Sequence, residues 1–162
     1  MYPVYHPEVA PVELYPDLWQ GPRPPLGPYL SHRGVNILVL CEAGFQPAES
    51  SFPGLKVIRF PFYDEPMLPD MNRLKELTQK LAYLVIDGAK VLVVCHMGVN
   101  RSGLVATLTR LEITGDSGAQ TLQEIDKLKP ITLTNSTFRN YIASLPESEG
   151  LVDPRAKVVP LP

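Results

Sequence analysis

Cysteine is scarce in this chain: 162 residues contain only Cys41 and Cys95. Two are too few for a disulfide framework and suit a reducing, cytoplasmic setting. Three histidines, at positions 6, 32 and 96, keep no ligand spacing with the cysteines. No metal site is therefore expected, and no metal or organic cofactor. An excess of one charge is also missing, with 15 Lys and Arg against 17 Asp and Glu and a net charge of -2. That balance argues against nucleic-acid and membrane partners, so any strong positive potential has to be built locally. No apolar run approaches the ~20 residues that span a bilayer. The opening M-Y-P-V-Y-H-P-E-V-A-P has no basic region followed by an apolar stretch, so no signal peptide is expected. Proline is plentiful at 18, but it clusters before position 30 and after 145, as extended edges around an ordinary core. With 44% apolar and 20% charged residues, the length suits one compact domain and a monomer. The domain is expected over 1–145, with a loose Pro-containing tail over 146–162.

The apolar pattern alternates between strand and helix. V-E-L-Y-P-D-L-W-Q-G (12–21) predicts an edge strand or hairpin, and a short helical turn closes at Gly34. The continuous runs V-N-I-L-V-L (35–40), L-K-V-I-R-F-P-F (55–62) and K-V-L-V-V-C (90–95) predict strands, the last of them central. Met71, Leu74, Leu77, Leu81 and Leu84 follow helical spacing after Asp70, which is read as a helix cap rather than a catalytic acid. Further helices are predicted from Arg101 to Gly115, after Ser117 with a Ser117/Gln120 capping box, and after Asn135. The fold class is α/β: one three-layer domain with a mostly parallel sheet of four or five strands flanked by helices. In such sheets ligands gather at the carboxyl ends of strands, where Cys95 lies.

The stretch V-V-C-H-M-G-V-N-R-S-G (93–103) carries the chemistry. Phosphoryl transfer to a cysteine needs a thiolate, a cradle for a dianion and a rigid cation. A five-residue loop between strand and helix supplies all three. Amides from His96, Met97, Gly98, Val99, Asn100 and Arg101 can converge on one anion, and the helix adds its positive end. The same field favours the thiolate of Cys95. Arg101 offers a bidentate fork, Gly98 permits a tight loop, and Ser102 can donate to the sulfur. Cys with Arg six residues on and Ser or Thr seven on arises by chance in roughly one chain in a hundred. The flanking strand and helix make coincidence rarer still.

This motif resembles the C-x5-R-S signature of the dual-specificity branch of the protein tyrosine phosphatase superfamily. L-Y-P-D-L-W-Q-G (14–21) is similar to that family's opening hairpin, and the run from Gly34 to Leu40 to its first central strand. K-P-I-T-L-T-N-S-T-F (129–138) resembles the segment whose Asn supports the phosphate loop, which falls on Asn135. The resemblance covers the chain to about Leu145. It implies a phosphatase with Cys95 as nucleophile, Arg101 as phosphate ligand and Ser102 assisting. It also implies a general acid in F-Y-D-E-P, which is Asp64. Val94 departs from the pattern, because the family carries there a His that braces the loop. Weakened tuning of the thiolate is expected, and Val94→His is expected to restore the brace.

The expected activity is hydrolysis of phosphotyrosine, with phosphoserine and phosphothreonine as further substrates, in a phosphoprotein or phosphopeptide. No Lys or Arg precedes Arg101 in the loop, which tilts the reading away from inositol lipids and RNA ends. Two rival readings are a catalytically weak phosphoprotein-binding domain and a rhodanese-like redox or sulfur-transfer enzyme using Cys95 and Cys41. Cys41 itself is read as a buried strand-end thiol in preference to a redox partner. His96 is read as an exposed loop residue, and Asp153 as part of the tail.

Overall fold

The apolar runs become the interior of a five-stranded sheet, in a computed structural model that describes residues 10–155. Its strands are β1 (Val12–Tyr15), β2 (Leu18–Gly21), β3 (Ile37–Glu42), β4 (Lys56–Phe62) and β5 (Val91–Val94), in the order β1-β2-β5-β3-β4. All pairs are parallel except the hairpin β1/β2. β5 is central and, like β3, buried at every position, as continuous apolar runs require. The α/β reading, the mostly parallel sheet and the central place of the third apolar run all agree with the sequence. In the hairpin, Asp17 takes φ 68°, a left-handed conformation its short polar side chain tolerates.

Strand alternation divides the core in two. Ile37, Val39 and Cys41 of β3 and Val91, Val93 and Cys95 along β5 face the main helical layer. That layer holds α2 (Met71–Ile86), α3 (Arg101–Thr114), α4 (Gly118–Leu128) and α5 (Ser136–Ala143). Leu38, Leu40, Leu92 and Val94 face the other way, onto Leu30 of α1 (Tyr29–His32) and onto Phe52 and Leu55.

The caps read from sequence are present. Asp70 accepts from the backbone of Arg73, Ser117 and Gln120 form the reciprocal box, and Asn135 accepts from Thr137 and Phe138. α2 buries one stripe, including Leu74, Leu77, Leu81 and Val85. α3 is buried nearly all round because it lies between the sheet and the other helices. It therefore lacks the two-faced pattern of α2, and each buried Leu or Ile contributes about 1.5–3 kcal/mol.

The expectation of a loose tail is corrected for residues up to 155; residues 156–162 lie outside the described part. Ser148 N donates to Gly115 O at 2.8 Å and Leu151 N to Ile113 O at 2.9 Å. Asp153 is no loose acid either. It accepts from the Tyr15 hydroxyl at 2.6 Å and is bonded to Arg155, which reaches Asp17 at 2.8 Å. Gly115 lets the tail approach, since a Cβ there would lie 2.4 Å from Ser148 O. Burial and the Asp153 contact push the Tyr15 phenol up to about 12, while Arg155 and Tyr15 hold the Asp153 carboxyl well below its usual range.

Candidate active site

Cys95 follows the last residue of β5, is only 2% exposed, and keeps its backbone N 3.3 Å from Gly21 O of β2. His96 to Asn100 then form an irregular loop, and Arg101 opens α3. Gly98 has φ 67°, and a Cβ there would stand 2.6 Å from both Gly21 C and Pro22 N. Only glycine fits this crossing of loop and strand end. Ser102 is fully buried, and its Oγ lies 3.1 Å from Cys95 Sγ.

Three loop carbonyls are tied to the protein body. His96 O accepts from Arg23 N at 3.4 Å, and Val99 O accepts from Leu133 N at 3.0 Å. Gly98 O accepts from Gln20 Nε2 at 2.8 Å and also from Lys129 Nζ. In a trans peptide the N–H points opposite to the carbonyl. These ties therefore turn the N–H groups of Met97, Val99 and Asn100 away from the body, toward the open side of the loop. Leu133 donates from a left-handed backbone, φ 50°, which costs a non-glycine residue on the order of 1–3 kcal/mol and is held by its burial against Gly103.

Val94, where the resemblance places a bracing His, packs into the apolar face opposite Cys95 with 1% exposure. The braces on Gly98 O come instead from Gln20 and Lys129, which the sequence reading did not single out. Burial pulls the Lys129 ammonium below its ordinary value, against the opposing charge of Cys95.

Asp64 sits on the exposed turn after β4 and is shared between two side chains. Asn100 Nδ2 of the loop donates to its Oδ2 at 2.9 Å, and Asn135 Nδ2 donates to its Oδ1 at 2.8 Å. Asn135 reaches the loop through its backbone, whose N donates to Asn100 Oδ1 at 2.9 Å, while its side chain serves the acid turn and caps α5. Asp70 is engaged elsewhere, 3.2 Å from Arg73 N at the head of α2. Arg101 Nη1 donates to Phe62 O at 3.3 Å, and its Nε is buried without a partner among the described residues.

On the other flank, Glu42 is buried at the end of β3 and paired with Arg23, whose guanidinium also lies 4.9 Å over the Phe45 ring. His96 Nδ1 stands 3.7 Å from Glu42 and is about half exposed. Burial pushes the Glu42 carboxyl up, but Arg23, with His96 and Arg101 behind it, outweighs this and lowers it. Cys41 is a free, fully buried thiol on the same face as Cys95. Burial pushes it well above its ordinary value, Cys95 adds to the rise, and Arg101 offsets part of it.

In sequence the chain is similar to dual specificity protein phosphatases, and in fold to solved structures of dual specificity phosphatases. Dual specificity protein phosphatase 12 of Rattus norvegicus is 29% identical over 131 residues, 78% of this chain and 38% of that protein. Dual specificity protein phosphatase 15 of Homo sapiens is 28% identical over 85 residues, 52% of this chain and 29% of that protein. The chain thus spans about a third of the length of the curated relatives it matches. Among solved structures, a mouse dual specificity phosphatase complexed with zinc tungstate gives a TM-score of 0.72 at 24% identity, covering 88% of each chain. Human DUSP28 gives 0.68 at 24% identity, covering 88% of this chain and 94% of that one. No family model matches the chain.

Proposed function

We propose that this chain hydrolyses phosphate monoesters on phosphotyrosine, and on phosphoserine and phosphothreonine, in proteins through a phosphocysteine at Cys95. The observation that carries the reading is the Cys95–Ser102 contact beneath a loop three of whose carbonyls are tied to the protein body. Loop amides from His96 to Arg101 bind the phosphoryl oxygens, and Arg101 completes the cradle from the head of α3. Cys95 Sγ attacks phosphorus, the ester P–O bond breaks, and Asp64 gives its proton to the leaving oxygen. Asp64 then takes a proton from water, whose oxygen attacks phosphorus, and Sγ leaves as thiolate with Ser102 donating to it. Phosphate departs and the enzyme is restored. The absence of Lys and Arg from His96 to Asn100 supports a protein substrate over inositol lipids. The reading includes a cytoplasmic monomer. Among the described residues no helix is long and apolar enough to cross a membrane.

The test is turnover of para-nitrophenyl phosphate by the full chain in chelator, its block by vanadate, and its loss in Cys95→Ser. Phosphopeptide binding should survive that substitution, because loop backbone and Arg101 are left in place. Steady turnover by Cys95→Ser near the wild-type rate would remove Cys95 as nucleophile.

A further inference from the structure

Gln20 is an amide with no exposure, on β2 beside Val93 of the central strand. Its orientation follows from its partners alone. Gly98 O, 2.8 Å away, is a carbonyl and can only accept, so the atom facing it is Nε2. The same nitrogen lies 3.2 Å from Ser102 Oγ, and an amide nitrogen only donates. Ser102 therefore accepts from Gln20. A hydroxyl has one hydrogen, and the other partner of this oxygen among the described residues is Cys95 Sγ at 3.1 Å.

We infer that Gln20 is a positioning residue that fixes the Ser102 hydroxyl as hydrogen donor to Cys95 Sγ. Distance alone leaves either atom of the Cys95–Ser102 pair as donor. With Gln20 already donating to Ser102 Oγ, a Cys95 donor would leave the buried hydroxyl hydrogen with no partner among the described residues, so Ser102 donates. Gln20 links this to loop shape, since one amide group holds both Gly98 O and Ser102 Oγ. The amide is retained at a cost, because Gln20 Oε1 is buried with no partner among the described residues. A Met or Leu would carry no such orphan, so the side chain is there for its two N–H donors. The inference rests on the proposed role of Cys95, whose sulfur is a thiolate both in attack and on leaving.

The experiment is the rate of iodoacetamide labelling of Cys95 against pH, read by mass spectrometry on the full chain, which requires no turnover. Other groups that bear on Cys95 are Lys129 after α4, Cys41 on β3, Arg101 at the head of α3 and the adjacent His96. None is altered. A hydrogen bond to a charged group corresponds to about one pH unit. Gln20→Met should raise the labelling midpoint by roughly that amount, and Ser102→Ala should raise it likewise. The double variant should move no further than Ser102→Ala, whereas a merely structural Gln20 would add its own shift. An unchanged midpoint in Gln20→Met, or additive shifts, overturns the inference. Gln20→Leu replaces Gln20→Met if circular dichroism shows the latter unfolded. If neither folds, Ser102→Ala alone decides: a raised midpoint supports Ser102 as donor and an unmoved one refutes it. A Gln20-dependent midpoint in a protein that hydrolyses no aryl phosphate would refute the proposed activity and leave the positioning intact.

Discussion

Replacing Asp64 and Asp70 in parallel separates chemistry from folding. Asp64 is exposed, and its carboxylate accepts from Asn100 and Asn135. An Asn at 64 has one acceptor oxygen for two amide donors, so one contact is lost, a loss of about 1 kcal/mol. In a domain of this size that lowers Tm by about 2–4 °C. The catalytic loss is of another order. Removing a general acid costs ~10²–10⁴-fold in the step it assists, or about 3–5.5 kcal/mol in the barrier. The loss should be full for phosphotyrosine, whose phenolic oxygen needs a proton, and small for aryl phosphates whose leaving group departs readily as an anion. Asp70→Ala removes the α2 cap, which costs ~1 kcal/mol, with phosphotyrosine turnover unchanged. Asn at 70 caps as well as Asp, so Asp70→Asn should change neither. The assay is phosphocysteine formation under single turnover across leaving groups of graded acidity, beside thermal melts. If Asp64→Asn follows the wild-type slope while Asp70→Ala steepens it, the assignment of the acid is refuted.

Gly98→Ala should abolish turnover and lower Tm, because the left-handed φ of 67° and a Cβ 2.6 Å from Gly21 C both oppose it; an active variant with wild-type Tm would show that the loop yields. Val94→His, expected from the family pattern to add a brace, should instead destabilise the chain by about 1–3 kcal/mol, as an imidazole enters an apolar face; chemical denaturation measures it, and unchanged stability would contradict the packing. The raised Tyr15 phenol contributes stability that is full below its ordinary value near 10 and is lost as pH rises toward about 12. The depressed Asp153 carboxyl contributes stability that is lost in acid, below its ordinary value of about 4. Tyr15→Phe should therefore flatten the alkaline limb of the stability profile; an unaltered limb would show that the Tyr15–Asp153 contact does not carry it.

Elements announced themselves where one signal dominated. β3 and β5 are unbroken apolar runs, α2 repeats Leu at helical spacing, and three caps have the right side chain at the right place. Cys95, Arg101 and Ser102 share one motif, so local geometry brings them together, and Asp64 lies on the expected turn. What stayed hidden depends on contacts distant in sequence. Gln20 reads as an ordinary strand residue until β2 is laid beside β5, and Lys129 as an ordinary end of helix until its ammonium meets Gly98 O. Glu42 and Arg23 stand 19 residues apart, with nothing local to join them. The clasp at 148 and 151 is backbone to backbone, and so leaves no side-chain pattern to read. A clue existed for Gln20, because an amide that follows Leu18 and Trp19 in a short strand must find partners if buried.

The ties on the loop also bear on the order in which the protein assembles during synthesis. Gly98 is held by a residue 78 positions earlier and another 31 positions later, and Asp64 by one 71 positions later. A nascent chain that has just released Arg101 from the ribosome can pair its strands, yet it lacks Lys129, Leu133 and Asn135. Closing such long loops costs entropy that local contacts cannot offset, so the site forms late. Until residue 135 arrives, Cys95 belongs to a sheet without a finished loop above it. The chemistry proposed for that sulfur thus waits on completion of the fold.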